Sequence, residues 1–197
     1  ACQQSIDNMN EIIEEKKDEL LKTKFILEAR QLKLLGELGS TIYPIEPVPA
    51  PNGSNNERNT ISTFSSAPEE YMIRGIELPM IIDTSLKDDE QISTALGYVV
   101  HLLSLASKYL QVPLRYEVIY NSSRSMIRDP VVGRGGALPL YKRGVERDRF
   151  DRALQWLQKD IEQLMMIRSG APYDKKKSML ANLKQIFSCE ECLKMIS

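Results

Sequence analysis

The stretch from Ile92 to Leu110 limits the possible folds more than any other, because its apolar residues fall on nearly every side of a helix. Ile92, Ala95, Leu96, Val99, Val100, Leu102, Leu103, Leu105, Ala106 and Leu110 leave only a narrow polar margin. A helix that is apolar all round is buried on several faces or lies in a membrane. Ser93, Thr94, His101, Ser104, Ser107 and Lys108 interrupt this one, whereas a membrane span needs about 20 predominantly apolar residues. The segment therefore reads as a core helix with β-structure wrapped around it.

Asp88 or Asp89 caps that helix, placing a carboxylate where the orphan N–H groups point. Pro113 stops it, and Leu114–Tyr120 follows as a strand. Asn121-Ser122-Ser123 has turn chemistry, and Arg124–Asp129 returns as a shorter strand, making a hairpin. Val131–Pro139, with Gly133, Gly135 and Gly136, reads as a loop, and Leu138–Tyr141 as a third short strand. Upstream, Tyr71–Leu78 alternates and ends at Pro79, which predicts one strand. Downstream, Phe150, Ala153, Leu154, Leu157, Ile161, Leu164 and Met165 make one apolar stripe, predicting a helix over 146–168. A last helix is expected over 176–187, with Met179, Leu180, Leu183, Ile186 and Phe187 turned inward. Strand, helix, hairpin, helix, helix is an α/β or α+β order with antiparallel pairing.

Residues 5–39 predict a single long helix: Glu, Lys, Leu and Gln dominate, and glycine and proline are absent before Gly36. Ile6, Ile13, Leu20, Leu27 and Leu34 repeat every seven residues, which keeps one seam toward a neighbouring helix and implies left-handed supercoiling. The second column is poor: Met9, Lys16, Thr23, Arg30, Glu37 on one side and Asn10, Lys17, Lys24, Gln31, Leu38 on the other. One good column beside a charged one suits a strand of a heteromeric coiled coil, since cations near the seam disfavour self-pairing and select an unlike partner. The alternative is an amphipathic helix folded back on its own domain. At 1.5 Å per residue the helix spans roughly 50 Å, more than a domain of about 150 residues covers along one side. The expected organisation is a coiled-coil helix over 1–39, a linker or mobile loop over 40–70 whose Pro/Ser/Asn-rich part, 46–70, has Phe64 as its one aromatic, and a globular domain over 71–197.

Charge is nearly balanced, Lys+Arg 26 against Asp+Glu 27, which gives the whole chain no pull toward nucleic acid. A local basic face remains open: Arg115, Arg124, Arg128, Lys142 and Arg143 lie near the hairpin, and Lys175-Lys176-Lys177 makes a second cluster. Such a face attracts anionic lipid headgroups by about 1 kcal/mol per charge near the surface. Three cysteines fit a reduced, intracellular setting better than a secreted disulfide framework. No signal peptide or transmembrane segment is read from the sequence, and the start at Ala1 inside a helical pattern leads us to expect a fragment of a longer protein.

No catalytic constellation emerges. His101, the only histidine, sits in the most apolar helix, which suits a hydrogen-bonded core imidazole; a hydrolase or transferase using it is the rival reading, though no GxSxG nucleophile elbow exists. Cys189-Glu190-Glu191-Cys192 is a lone CxxC closing a helix, and structural zinc needs four ligands, with only Cys2 and His101 left to supply them. Gly133-Arg134-Gly135-Gly136 lacks the Lys-Ser/Thr pair of a phosphate loop. Asp88, Asp89 and Glu90 are explained by capping before cation binding. No metal or cofactor is expected. Trp156 lies on the flank of the 146–168 stripe beside Ile167, either as a shoulder covered by a neighbouring element or as a partner contact.

Several segments together carry a resemblance: Leu34-Leu35-Gly36-Glu37-Leu38 with Ile42-Tyr43-Pro44-Ile45; Ile73–Pro79; Leu96-Gly97-Tyr98-Val99-Val100-His101-Leu102 through Leu110-Gln111-Val112-Pro113-Leu114-Arg115-Tyr116; and Ser123–Asp129. Pro139-Leu140-Tyr141, Phe150-Asp151 and Leu180–Leu183 continue it in order. Over about residues 34–187 the chain resembles the C-terminal half of the UV radiation resistance-associated protein family, endosomal subunits of the class III phosphatidylinositol 3-kinase complex. The resemblance implies a coiled coil with Beclin, a β-α repeated domain beside Beclin's own, catalytic and pseudokinase subunits on other chains, and peripheral attachment of a cytoplasmic complex to endosomal and autophagic membranes. It implies no catalysis by this chain. The alternative within the same complex is the autophagy-specific sister subunit, which targets the kinase to autophagosome precursors and is expected to carry a C-terminal membrane-sensing helix. Two features depart from the family pattern: the length of 46–70 and the glycine-rich 133–136.

Overall fold

The structure, a computed structural model, describes residues 2–49, 70–80, 82, 89–131 and 136–187. It is an α+β fold in which three antiparallel strands followed by a helix occur twice. The first unit is β1 (Ile45–Pro47), β2 (Tyr71–Ile73), β3 (Ile76–Leu78) and α2 (Asp89–Leu110). The second is β4 (Glu117–Ile119), β5 (Met126–Arg128), β6 (Leu138–Pro139) and α3 (Arg147–Ser169). In each sheet the middle strand pairs with both neighbours. A final helix, α4 (Met179–Phe187), packs on α3 and reaches back to β1 and β2, tying the second unit to the first. Preceding all of this, α1 runs from Cys2 to Glu37.

The reading of α2 as the core holds. Ile92, Ala95, Leu96, Val99, Val100, Leu102, Leu103 and Ala106 are all buried, between β3 of one sheet and β4 of the other. Gly97 marks the closest approach: a Cβ there would lie 2.2 Å from the Ser122 carbonyl oxygen in the β4–β5 turn. That turn is held by Arg124 N–H donating to Asn121 O (2.9 Å) and by Ser125 Oγ, which donates to Ser122 O (2.8 Å) and accepts from Asn121 N–H (3.0 Å). α2 ends with Gln111 at φ 56°, Val112 N–H bonding Ser107 O and Gln111 N–H bonding Lys108 O, the paired pattern that closes many helices.

Two sequence expectations change. Tyr71–Leu78 is a two-residue hairpin and not one strand: Arg74 and Gly75 both take positive φ, 51° and 77°, the geometry that matches the twist of flanking antiparallel strands. The 40–70 segment begins with regular structure: the backbone of α1 continues into a π-helical turn, Leu38–Ile42, and Ile45–Pro47 pair with β2. Pro47 is tolerated because β1 is an edge strand. Phe64, Asp88 and the CxxC lie outside the described residues.

Candidate functional site

Two features of the surface are candidates for function, the free length of α1 and the joint that mounts it. α1 would be about 54 Å long at 1.5 Å per residue, and among the described residues it meets the body at its end, where Leu35 is buried against the core. Ile6 lies within the helix. Ile13, Leu20 and Leu27 are 45%, 68% and 46% exposed, and Leu34 is half-buried as the helix reaches the domain. Met9, Ile12, Leu21, Phe25 and Ile26 are exposed as well. The pairs Lys16–Glu19, Lys17–Glu14 and Lys24–Glu28 run along the solvated surface of the helix itself and fasten it to nothing else; exposed pairs of this kind contribute at most about 1 kcal/mol. A helix without tertiary packing is marginal in water. So large an apolar exposure makes α1 a candidate interaction surface.

The joint is built by the π-helical turn, whose Tyr43 N–H reaches back to Leu38 O at 2.9 Å. Gly39 lets α4 close against it, for a Cβ would meet the Phe187 side chain at 2.5 Å. Tyr43 then delivers its hydroxyl to His101 Nδ1 of α2 (2.5 Å). His101 stacks on Tyr120, centroids 4.1 Å apart, and Arg74 lies over the rings of Tyr43 (5.7 Å) and Tyr98 (5.4 Å). Burial, then Lys108, lowers the His101 pKa below its ordinary value, and burial followed by Tyr120 raises that of Tyr43. The imidazole is thereby a fixed neutral member of an aromatic clasp. Among the described residues no carboxylate, thiol or serine hydroxyl is hydrogen-bonded to it, so nothing there assembles a nucleophile–base–acid relay.

Trp156 is half-buried: its ring stacks on Tyr116 at 4.8 Å, while Arg115 lies over the other ring of the pair, 4.8 Å from the Tyr116 centroid. Ile167 is 55% exposed, three turns further along α3. Beneath that stack lies a residue that the apolar stripe should have exposed to view, Asp160. It is fully buried, accepts from Tyr116 N–H at 3.0 Å, and its Oδ2 finds no partner. Burial pushes its carboxyl up to about 7 against the lowering effect of the backbone donors and Arg115. One turn on, Gln163 accepts from Arg115 N–H (2.9 Å) and donates to Pro113 O (2.8 Å), so α3 holds the approach to β4 by side-chain bonds.

The five basic residues expected near the hairpin divide, and Arg115 is paired with Asp129. Arg128 is paired with Glu117 across β4–β5, and Lys142 is buried beside Asp89 (3.5 Å). Arg124 and Arg143 are exposed and line a common cavity. Among the described residues no group of His, Cys, Asp and Glu is placed to hold a metal ion.

The fold is thus a repeated α+β body carrying at its base a long helix whose apolar residues are exposed. Residues 29–134, more than half of the chain, match the family described as vacuolar sorting 38 and autophagy-related subunit 14, and the chain belongs to that family. It is 36% identical over 185 residues to the UV radiation resistance-associated protein of Mus musculus, covering 90% of this chain and 24% of the relative. To the vacuolar protein sorting-associated protein 38 of Schizosaccharomyces pombe it is 28% identical over 163 residues, covering 82% of this chain and 30% of the relative. The chain thus spans less than a third of the length of either relative.

Proposed function

We propose that this chain is the partner-presenting part of a non-catalytic regulatory subunit of the class III phosphatidylinositol 3-kinase complex, serving endosomal sorting and autophagy. α1 supplies one strand of a coiled coil with Beclin through Ile6, Ile13, Leu20, Leu27 and Leu34. The repeated domain stands beside the partner's, and the catalytic and pseudokinase chains join through that assembly. Attachment to endosomal and autophagic membranes is peripheral; among the described residues no helix is long and apolar enough to cross a bilayer. The observation that carries this reading is the exposure of Ile13, Leu20 and Leu27 on a helix that, among the described residues, packs on its own domain at its base. The names of the two relatives and of the family support the sorting and autophagy setting.

Two rivals have less behind them. The autophagy-specific sister subunit has less support because the relatives matched over 82–90% of this chain are a UV radiation resistance-associated protein and a vacuolar protein sorting-associated protein 38. A His101 enzyme calls for an accessible base, whereas His101 is engaged by Tyr43 and Tyr120. Co-expression of the chain with Beclin and the kinase, followed by affinity purification, tests the proposal. All three should co-purify, and Ile13→Glu/Leu20→Glu/Leu27→Glu should release both partners. Undiminished recovery with the triple variant contradicts it.

A further inference from the structure

A half-open cavity of about 560 Å³ lies where the N-terminus of α2 meets the β4–β5 turn and the segment before α3. Its size suits a small-molecule ligand. Arg124 and Arg143 line it with Ser123, Tyr141, Asp89 and Glu90. Nearby, Arg115 is paired with Asp129, Arg128 with Glu117 and Arg147 with Asp151, whereas Arg149 and Arg152 of α3 are exposed but do not line the cavity. Among the described residues neither Arg124 nor Arg143 has a carboxylate partner. With buried Lys142 adjoining, cations outnumber the two carboxylates, and the first turn of α2 adds the positive end of its dipole. Guanidinium groups prefer an oxyanion they can grip with paired N–H bonds.

The carboxylate side of the cavity is equally specific. Asp89 pairs with Lys142 Nζ through its buried Oδ1 (3.5 Å), while 45% of its side chain, and Glu90 beside it, stay exposed along the cavity. A group that brought an O–H donor to Asp89 while giving oxyanions to Arg124 and Arg143 would satisfy both sides at once. A bare phosphate supplies only the second and leaves most of the volume empty.

We propose that this cavity binds a phosphorylated polyol, a sugar or inositol phosphate either free or as a lipid headgroup, with its phosphate on Arg124 and Arg143 and its hydroxyls on Asp89 and Glu90. The geometry is independent of α1 and its partner. Titration calorimetry of the whole chain with inositol monophosphate and with inorganic phosphate, alongside flotation with phosphatidylcholine vesicles containing phosphatidylinositol phosphate, reads it out. Inositol monophosphate should bind more tightly than inorganic phosphate. Arg124→Ala and Arg143→Ala should each weaken it about tenfold, the loss of one charge-assisted contact. Glu90→Gln and Asp89→Asn should weaken inositol monophosphate and leave inorganic phosphate as it was; the first, being exposed, guards against a folding effect of the second. Arg128→Ala, outside the cavity, is the control and should change nothing. Saturation by inositol monophosphate without flotation assigns a free ligand, and flotation lost with Arg124→Ala assigns a headgroup. Equal losses from Arg128→Ala, or no binding of either probe, overturn the proposal, and equal affinity for both probes overturns the polyol part of it.

Discussion

Replacing Asp160 by asparagine should remove a pH dependence that one carboxyl imposes on the fold. The unfolded aspartate ionises near 3.8, and the buried one keeps its proton up to about 7. Between those values the native state holds more protons than the unfolded chain, so this group makes stability fall as pH rises. The contribution is complete below the unfolded pKa and is lost as pH passes through the folded one. At about 1.4 kcal/mol per pH unit, the loss reaches about 2 kcal/mol by pH 5 and about 4 kcal/mol by pH 7, then levels off. Asparagine keeps an oxygen for Tyr116 N–H and cannot ionise. Trp156, the single tryptophan, stacks on Tyr116 and so reports the site directly by fluorescence during urea unfolding. The stability of Asp160→Asn minus that of the parent should grow from about pH 4 to about pH 7 and then stay flat. A difference that is constant across pH, or one that shrinks toward neutrality, refutes the burial argument.

Three further substitutions test the packing. Gly97→Ala should destabilise by about 1–3 kcal/mol or more, because the new methyl meets backbone oxygen of Ser122, and thermal unfolding should fall by several degrees. Gly39→Ala should cost less, since the atoms it meets belong to the Phe187 side chain, which can turn aside; a melting loss equal to that of Gly97→Ala contradicts the contrast. His101→Ala should cost about 1–2 kcal/mol through the lost Tyr43 bond and Tyr120 stack, with complex assembly intact by gel filtration. Leu20→Glu and Leu27→Glu should leave the isolated chain's stability within about 0.5 kcal/mol, as surface changes do, and unfolding curves that shift much further would place those residues in a contact with their own body.

The helices were the most legible part of the sequence, because each carries a stripe or column long enough to fix its period. α1, α2, α3 and α4 start and stop within a few residues of where glycine, proline and polar runs place them. The strands were harder. Three-residue strands leave little alternation to read, and Arg74-Gly75 hid a turn inside a pattern that continues smoothly across it. Ile45–Pro47 was lost among prolines because only pairing with β2, a segment more than twenty residues on, makes it a strand. For the candidate sites, the seam of α1 is a local repeat and needs no fold to be seen. The meeting of Tyr43, Arg74, His101 and Tyr120, or of Arg124 with Arg143, depends on contacts across the chain that no local pattern encodes. Asp160 did leave a sign: a carboxylate three residues after Leu157, on the face that also carries Leu164, is out of place unless its charge is suppressed or satisfied.

Under the proposed function α1 is an incomplete half of a coiled coil, kept from pairing with itself by the cations beside its seam. Sedimentation velocity of the chain alone, of Beclin's coiled-coil segment alone, and of an equal mixture, with circular dichroism on the same samples, measures this most directly. The chain alone should stay monomeric, and the mixture should form a one-to-one complex whose helicity exceeds the sum of the separate parts. A tight self-dimer of the chain, or a mixture that sediments and absorbs as its uncombined components, would contradict it.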